Sequence, residues 1–355
     1  MRAGLLAWMA VAVATGVAAA PRAPAPAPRP RPEVMRGITL SLFYPRDRAQ
    51  VPASLERIAA LGATHVSVPI PLWQDGVATT TVDWDPRRTP SDSLVARVVR
   101  EAHARGLRVV LFPLLSLRET GPGRWRGALR PADWGAWFAS YREQLLRCAR
   151  VGRVAQADWL CVGAELASSV AHAGRWRQLI RSVRAAFPGC LMYSRNWDST
   201  GGLAFGAELD LVGLNAYFEL VGGQQPTAAA LARRWAQIRR RLERRAGALG
   251  GRFVFTEVGY PSSERAAARP WDYLGPRTSR PDLQDLCFEA FFRAWAGDPR
   301  LAGAFVYLWS AREGDAGDPG YSIRGKPAER TVERWFKAGF PLADPDSARA
   351  PAPAK

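Results

Sequence analysis

The chain has 355 residues with 48% hydrophobic content and 14 tryptophans, which supplies enough apolar surface for a large core. Its formal net charge at pH 7 is +17, and all but three of the 49 basic residues are arginine. The arginines are spread over every predicted helix and mark no single module, which argues against a nucleic-acid-binding protein. A generally basic surface is favoured, and attraction to anionic cell-surface polymers stays open.

Cysteines and histidines give no sign of a metal site. The few histidines are scattered and the four cysteines lack metal-ligand spacing: His65, His103, His172, Cys148, Cys161, Cys190 and Cys287. We therefore predict neither a metal nor a cofactor. A disulfide between Cys161 and Cys190 is conceivable because both lie near the starts of neighbouring predicted strands, but inert buried thiols are favoured.

The N-terminus has the pattern of an export signal. Leu5–Ala20 is an apolar run behind Arg2 that ends in small residues and is short for a membrane span. Pro21 would hinder cleavage after Ala20, so an uncleaved membrane tether is the alternative to a signal peptide over residues 1–20. Residues 21–35 are rich in proline and predict an extended linker. We expect a secreted or cell-envelope protein.

Eight short apolar runs alternate with amphipathic helical patterns between residues 36 and 340. The predicted strands are residues 38–43, 65–69, 108–112, 159–163, 191–194, 211–214, 253–256 and 304–308. The predicted helices include residues 91–105, 133–150, 175–187, 227–248 and 281–296. Strands separated by helices imply a parallel sheet, and eight such units predict an α/β fold, a single monomeric (β/α)8 TIM barrel. Residues 341–355 are predicted to be a disordered tail.

Two glutamates follow strands of the same design. Glu165 emerges from the end of the strand WLCVG, and Glu257 stands at the tip of the strand FVFT, just before Gly259 and Pro261. In a parallel barrel both tips lie on the face where such folds carry their chemistry. A lone glutamate there would be a surface carboxylate, but a pair at these positions favours a catalytic site.

The local sequences resemble glycoside hydrolase family 113 of clan A, whose members act on β-mannan. The similarity runs from RGITLSLFY to GYSIRGKPAE and includes RGAL, PADWGAWFASY, VGAEL, RNW, DLVGLNAYF and FTEVGYPS. By this resemblance Glu257 is the nucleophile and Glu165 is the acid/base of a retaining glycosidase. Tyr217 is the implied donor to the nucleophile, and Trp309 is the implied platform under the sugar being cleaved.

A retaining mechanism makes demands on both carboxyl groups. They must lie about 5–5.5 Å apart, so that one attacks the sugar and the other protonates the leaving oxygen. The nucleophile must be ionised, whereas the acid must hold a proton near neutral pH. Ala164 and Leu166 flank Glu165 and predict a less polar setting that favours its proton. A water would not fit beneath the sugar at this spacing, so the product should keep the β configuration.

Aromatic and polar residues at strand exits complete the predicted sugar site. Apolar C–H faces of sugars pack on aromatic rings, so we assign further substrate contacts to Tyr44, Trp73, Trp197 and Tyr260. Asn196, Asn215 and Arg195 are assigned to sugar hydroxyls, although Asn215 and Arg195 could equally tie loops together.

The chain departs from the family pattern at two places. Ala164 stands where the clan usually has an asparagine before the acid/base, and Phe112 and Leu114 flank Pro113 where polar groups are expected. Both changes remove hydrogen bonds from the sugar pocket. The leading hypothesis is an exported, metal-independent retaining β-glycosidase acting on mannan, glucomannan or a cell-wall glycan. The alternative is a catalytically weakened, carbohydrate-binding barrel at the cell envelope.

Overall fold

A computed structural model describes residues 34–199, 201–222, 225–244, 251–272, 277–312 and 317–342. Within these ranges eight parallel strands close in sequential order into a barrel, which confirms the predicted fold. The strands are β1 Met35–Leu40, β2 His65–Gln74, β3 Arg108–Leu117, β4 Trp159–Ala164, β5 Cys190–Arg195, β6 Leu211–Asn215, β7 Phe253–Val258 and β8 Leu301–Trp309. The predicted signal segment, almost all of the linker and the tail beyond Leu342 lie outside the described residues.

Helices cover the outside of the barrel. Those in the described ranges are α1 Pro45–Ala49, α2 Val51–Ala60, α3 Asp92–His103, α4 Trp134–Ala155, α5 Ala173–Ala186, α6 Ala228–Glu243, α7 Pro281–Trp295 and α8 Pro327–Lys337. Ser91 accepts a hydrogen bond from the Leu94 N–H and Asp133 accepts one from the Gly135 N–H, so both side chains cap the helices that follow them. None of these helices combines the length and the apolar character needed to cross a membrane.

Two apolar layers hold the fold together. The larger lies between strands and helices and includes five fully buried tryptophans among the described residues: Trp137, Trp176, Trp235, Trp295 and Trp335. The smaller fills the barrel interior and includes Met35, Phe305 and Met192. A Cβ at Gly37 would lie 2.1 Å from the Phe305 ring, so glycine is required where this ring packs against β1. Closing the barrel therefore depends on close packing inside it.

Cys161 lies in the barrel interior as a free thiol. Burial raises the pKa of this thiol to about 12. The structure thus favours the inert thiol over the conceivable bridge to Cys190.

Asp47 fastens the loop after β1 to the loop after β8, at the barrel face that carries both glutamates. Its carboxylate is 1% exposed and accepts hydrogen bonds from the Ser41 hydroxyl at 2.6 Å and the Ser310 hydroxyl at 2.9 Å. The backbone N–H groups of Ala311 and Arg312 donate to the same carboxylate at 2.7 and 3.1 Å. This carboxylate therefore ties the first strand to the last.

We expect Asp47→Ala to lower the free energy of unfolding by about 3 kcal/mol, because four donors lose their buried acceptor. Asp75→Ala is the matched control, since the Asp75 side chain is 69% exposed and pairs with Arg118 at the surface. Urea unfolding of the two variants and the parent chain measures the difference. Equal stability of all three proteins would contradict the proposed role of Asp47.

Candidate active site

Glu165, Asn215 and Glu257 come together at the carboxyl ends of β4, β6 and β7. Glu165 directly follows β4 and has a φ of +58°, a left-handed conformation that is uncommon outside glycine. Its N–H donates to the Ser194 carbonyl of β5 at 2.9 Å, which holds this turn against the neighbouring strand. Asn215 and Glu257 are register partners in the pairing of β6 with β7. Three strand ends therefore converge on one site.

The Asn215 amide joins the two glutamates. It donates to Glu165 Oε1 at 3.0 Å, and its interaction with Glu257 lowers the pKa of that carboxyl group. Its own oxygen accepts hydrogen bonds from the Ser194 hydroxyl at 2.7 Å and the Thr256 hydroxyl at 2.9 Å. The amide is fully buried, so its orientation is fixed by these partners. The sequence offers two interpretations of Asn215, hydroxyl binding and loop support. The structure adds a third, which is orientation of both carboxyl groups.

Glu257 lies in a buried position with a single aromatic donor. It is 8% exposed, and the Tyr217 hydroxyl donates to Glu257 Oε2 at 2.7 Å. Burial, and then the negative charge of Glu165, raise the pKa of Glu257 to about 8, although the bonds from Tyr217 and Asn215 oppose this rise. The predicted contact between Tyr217 and the Glu257 carboxyl is present.

Arg126 forms an ion pair with Glu165 that the sequence analysis missed. Its guanidinium donates from Nη1 to Glu165 Oε2 at 2.7 Å and from Nε to the Leu115 carbonyl at 2.5 Å. The expectation of a less polar setting for Glu165 is therefore wrong, because its neighbours across the site are charged or polar. The signal available in the sequence was the RGAL motif, which lies between β3 and α4 and begins at Arg126.

Glu165 and Glu257 have different surroundings. Both oxygens of Glu165 accept hydrogen bonds, one from Asn215 and one from the permanently charged Arg126. Glu257, with its pKa raised to about 8, holds a proton near neutral pH. A retaining glycosidase needs one ionised and one protonated carboxyl group. The raised pKa of Glu257 differs from the expectation that the nucleophile is ionised.

Tyr217 belongs to a small aromatic cluster beside Glu257. Tyr307 and Tyr321 meet its ring edge-on, with centroids 6.3 and 6.4 Å away. Leu308 completes this cluster, and Trp197 packs against it. Tyr307 and Tyr321 were not identified from the sequence, although YLWS and GYSIRG surround them.

Two residues assigned to substrate lie elsewhere. Trp309 is 3% exposed and belongs to the main core, whereas Tyr307 of the same strand lies in the cluster with Tyr217. Tyr260 is fully buried in the main core, with its ring 5.0 Å from Phe288. Neither ring presents an open face to a sugar, and this corrects the interpretation of both residues.

The remaining predicted residues are divided between the rim and a side cavity. Tyr44 is 41% exposed, four residues beyond the end of β1, with the Arg312 guanidinium 4.2 Å from its ring centroid. The Trp73 ring is covered by Arg88 at 4.8 Å and, among the described residues, is joined to neither glutamate by a direct contact. Arg195 and Asn196 line a cavity of about 320 Å³ that also borders Glu165.

Arg195 and Asn196 are both held by their own loop. The Arg195 guanidinium donates to the Gly201 carbonyl, and the Asn196 amide donates to Asp198 Oδ1 at 2.8 Å. For Arg195 this contact agrees with the loop-tying interpretation. Beneath the site, Phe112, Leu114 and Ala164 all belong to the apolar barrel interior, as the departures from the family pattern indicated.

The chain is similar to one family of carbohydrate-active enzymes. The model of Glycoside Hydrolase Family 113 matches residues 44–326. A search of curated proteins found no match.

Three solved structures illustrate the likeness. A family 113 β-mannanase from Alicyclobacillus acidocaldarius, in complex with ManMIm, is 28% identical with a TM-score of 0.77, covering 86% of this chain and 98% of its own. A family 113 β-1,4-mannanase complex is 20% identical with a TM-score of 0.75, covering 86% and 99%. A GH5_18 protein from Streptomyces cattleya, in complex with Manβ1-4GlcNAc, is 18% identical with a TM-score of 0.58, covering 89% and 82%. The last two show the fold alone.

The titration of Glu257 tests the electrostatics of the site. We expect Tyr217→Phe to raise the pKa of Glu257 above its value of about 8, because the tyrosine bond stabilises the charged form. Glu165→Gln should lower the pKa of Glu257, because it removes a nearby negative charge. Carbon-13 NMR of labelled glutamate side chains measures both shifts. Shifts in the reverse directions would show that other groups control Glu257.

Proposed function

The chain belongs to glycoside hydrolase family 113, and from this membership we propose that it cleaves β-mannan by a retaining double displacement. The observation that supports the mechanism best is the position of Asn215, which donates to Glu165 Oε1 and is the register partner of Glu257. One amide within reach of both groups favours a short separation between them, as a retaining enzyme requires. Mannan is favoured over the other β-glycans because the 28% identical neighbour is a β-mannanase.

In the first step, a carboxylate oxygen of Glu257 bonds to the anomeric carbon while the glycosidic C–O bond breaks. The proton of Glu165 moves to the departing oxygen, which leaves as a hydroxyl group. In the second step, water attacks the same carbon, Glu165 takes its proton and the ester bond to Glu257 breaks. The Tyr217 hydroxyl donates a hydrogen bond to Glu257 Oε2 and can keep this bond while the charge on the oxygen changes.

The first step makes demands on the proton and on Arg126. Attack needs an ionised Glu257 and a protonated Glu165, whereas burial raises the pKa of Glu257 to about 8 and Arg126 pairs with Glu165. Arg126 must therefore leave Glu165 Oε2, or turn away from it, when the leaving oxygen enters. The Arg126 side chain is 25% exposed, so it has a path toward solvent. Substrate binding and general acid catalysis are thus linked through this ion pair.

We also propose that the chain is exported and acts as a monomer. The support is the charged start, apolar run and small-residue exit of residues 1–20, followed by a proline-rich linker. An uncleaved segment would tether the barrel to the membrane outside the cytoplasm. Polymeric substrates are too large to enter cells intact, which agrees with export.

A barrel that binds glycans without cleaving them is the second candidate. Ala164 and Leu114 supply no hydrogen-bond donors from their side chains, and Arg126 occupies an oxygen of the acid/base. Activity measurements on the two glutamate variants separate this candidate from the enzyme.

We expect Glu257→Ala to abolish hydrolysis of β-mannan and of aryl β-mannosides, because no other group in the mechanism attacks the sugar. Glu165→Ala should lower kcat on β-mannan roughly 10²–10⁴-fold but spare an activated aryl glycoside, whose leaving group needs little protonation. Glu333→Ala on α8 is the control, because Glu333 pairs with Lys337 on the outer wall. Full activity of either catalytic variant would sink the assignment, and an inactive parent chain that still binds mannan would favour the second candidate.

The stereochemistry of the first product tests the mechanism separately. Proton NMR of the first-formed reducing sugar should show the β anomer, because two inversions at one carbon restore its configuration. An initial α anomer would mean that a water attacks directly, with the two carboxyl groups farther apart.

A further inference from the structure

Trp271 presents its indole to solvent on the face of the barrel that carries the glutamates. It is 39% exposed and lies in the segment between β7 and α7, which follows the carboxyl end of β7. A single exposed apolar residue needs no explanation by itself. Trp271 differs from an ordinary exposed residue because its ring is stacked on another ring and both of its neighbours in the chain are held.

The first support is a stack on Trp197. The two indole rings have centroids 5.3 Å apart and planes 21° apart, so one face of Trp271 is covered. Trp197 is itself held edge-on by Phe218, with centroids 5.8 Å apart. Trp271 occupies one face of the Trp197 ring. Trp197, which the sequence predicts as a sugar platform, therefore supports Trp271.

The other supports act on the neighbours of Trp271 in the chain. The Tyr321 hydroxyl donates to the carbonyl of Pro270 at 2.5 Å. The carboxylate of Asp272 pairs with the Arg265 guanidinium at 2.7 Å. With both neighbours fixed, the indole loses little conformational entropy when a ligand packs on it.

This frame is continuous with the catalytic site. Tyr321 lies edge-on to Tyr217, and the Tyr217 hydroxyl donates to Glu257. Trp197 packs against the same cluster of tyrosines. A series of ring contacts therefore leads from the buried Glu257 to the exposed Trp271. A glycan chain that places one sugar at the glutamates can reach the rim along these rings.

We propose that the exposed part of Trp271 is a stacking platform for a pyranose ring of a β-linked glycan, outside the sugar bound at the two glutamates. Sugars offer apolar C–H faces that pack on indole, and an already oriented ring binds them at low entropic cost. The proposal deepens the proposed function and rests on it for the class of sugar. It makes the site an extended cleft, so affinity should grow with the length of the chain.

The test compares Trp271→Ala and Trp271→Phe with the parent chain on β-1,4-manno-oligosaccharides of two to six sugars. Trp271→Ala should lower kcat/KM roughly tenfold on the longer oligosaccharides and leave the shortest substrate unchanged, because only a long chain reaches the platform. Trp271→Phe should restore part of this loss. Trp84→Ala is the control for loss of an indole, because this partly buried ring packs against the core and under the Arg147 guanidinium of α4 at 4.0 Å and should change neither substrate class.

Binding gives a readout that does not need turnover. Calorimetric titration of the same oligosaccharides into Glu257→Ala, with and without Trp271→Ala, should show a roughly tenfold weaker Kd for the longer chains only. If the parent chain fails to hydrolyse mannan, the proposed function fails, while this titration still decides the role of Trp271. No effect of chain length, or an equal loss at every length with a lower Tm, would overturn the platform.

Discussion

The candidate active site depends on the orientation of one buried amide. Asn215 accepts hydrogen bonds from hydroxyls of β5 and β7 and donates from its nitrogen to Glu165. Because its oxygen is occupied by two donors, the reversed amide would place its nitrogen against two hydroxyls and lose its bond to Glu165. The closed barrel brings these three strands side by side, so the fold itself sets the geometry of the pair.

The electrostatics of the site follow from unequal surroundings. Glu257 stands in a buried position where desolvation favours its neutral form, whereas Glu165 faces the fixed positive charge of Arg126. Phe112, Leu114 and Ala164 belong to the apolar barrel interior, and their side chains bring no donor to the pair.

Aromatic residues surround this pair, and they become more exposed from Glu257 outward to the rim. The tyrosine cluster next to Glu257 is largely buried, Trp197 is half-buried, and Trp271 reaches solvent. Edge or face contacts with the next ring orient each ring. These contacts therefore fix which rings are buried and which are exposed. Such a frame would suit a polymeric ligand, because its inner end adjoins the two glutamates and its outer end is accessible.

The sequence by itself determined the barrel, the two glutamates and the Tyr217 donor. Strand and helix periods are local properties, and a residue that follows a parallel strand must lie on the carboxyl face whatever the rest of the chain does. The sequence did not determine which side chains at the strand ends point into the site. Register shifts between Leu214 and Asn215, and between Phe255 and Val258, break the alternation on which such assignments depend, and Tyr260 and Trp309 lie in the core.

Only the tertiary structure decided the partners of each carboxyl group. Arg126 is 39 residues from Glu165 in the chain, and Pro270 is 51 residues from Tyr321. Contacts over such separations are made by the closing of the barrel and leave no period in the sequence. The raised pKa of Glu257 and the orientation of Trp271 therefore follow from the fold as a whole, whereas the strands and the placement of two glutamates at strand ends follow from local pattern.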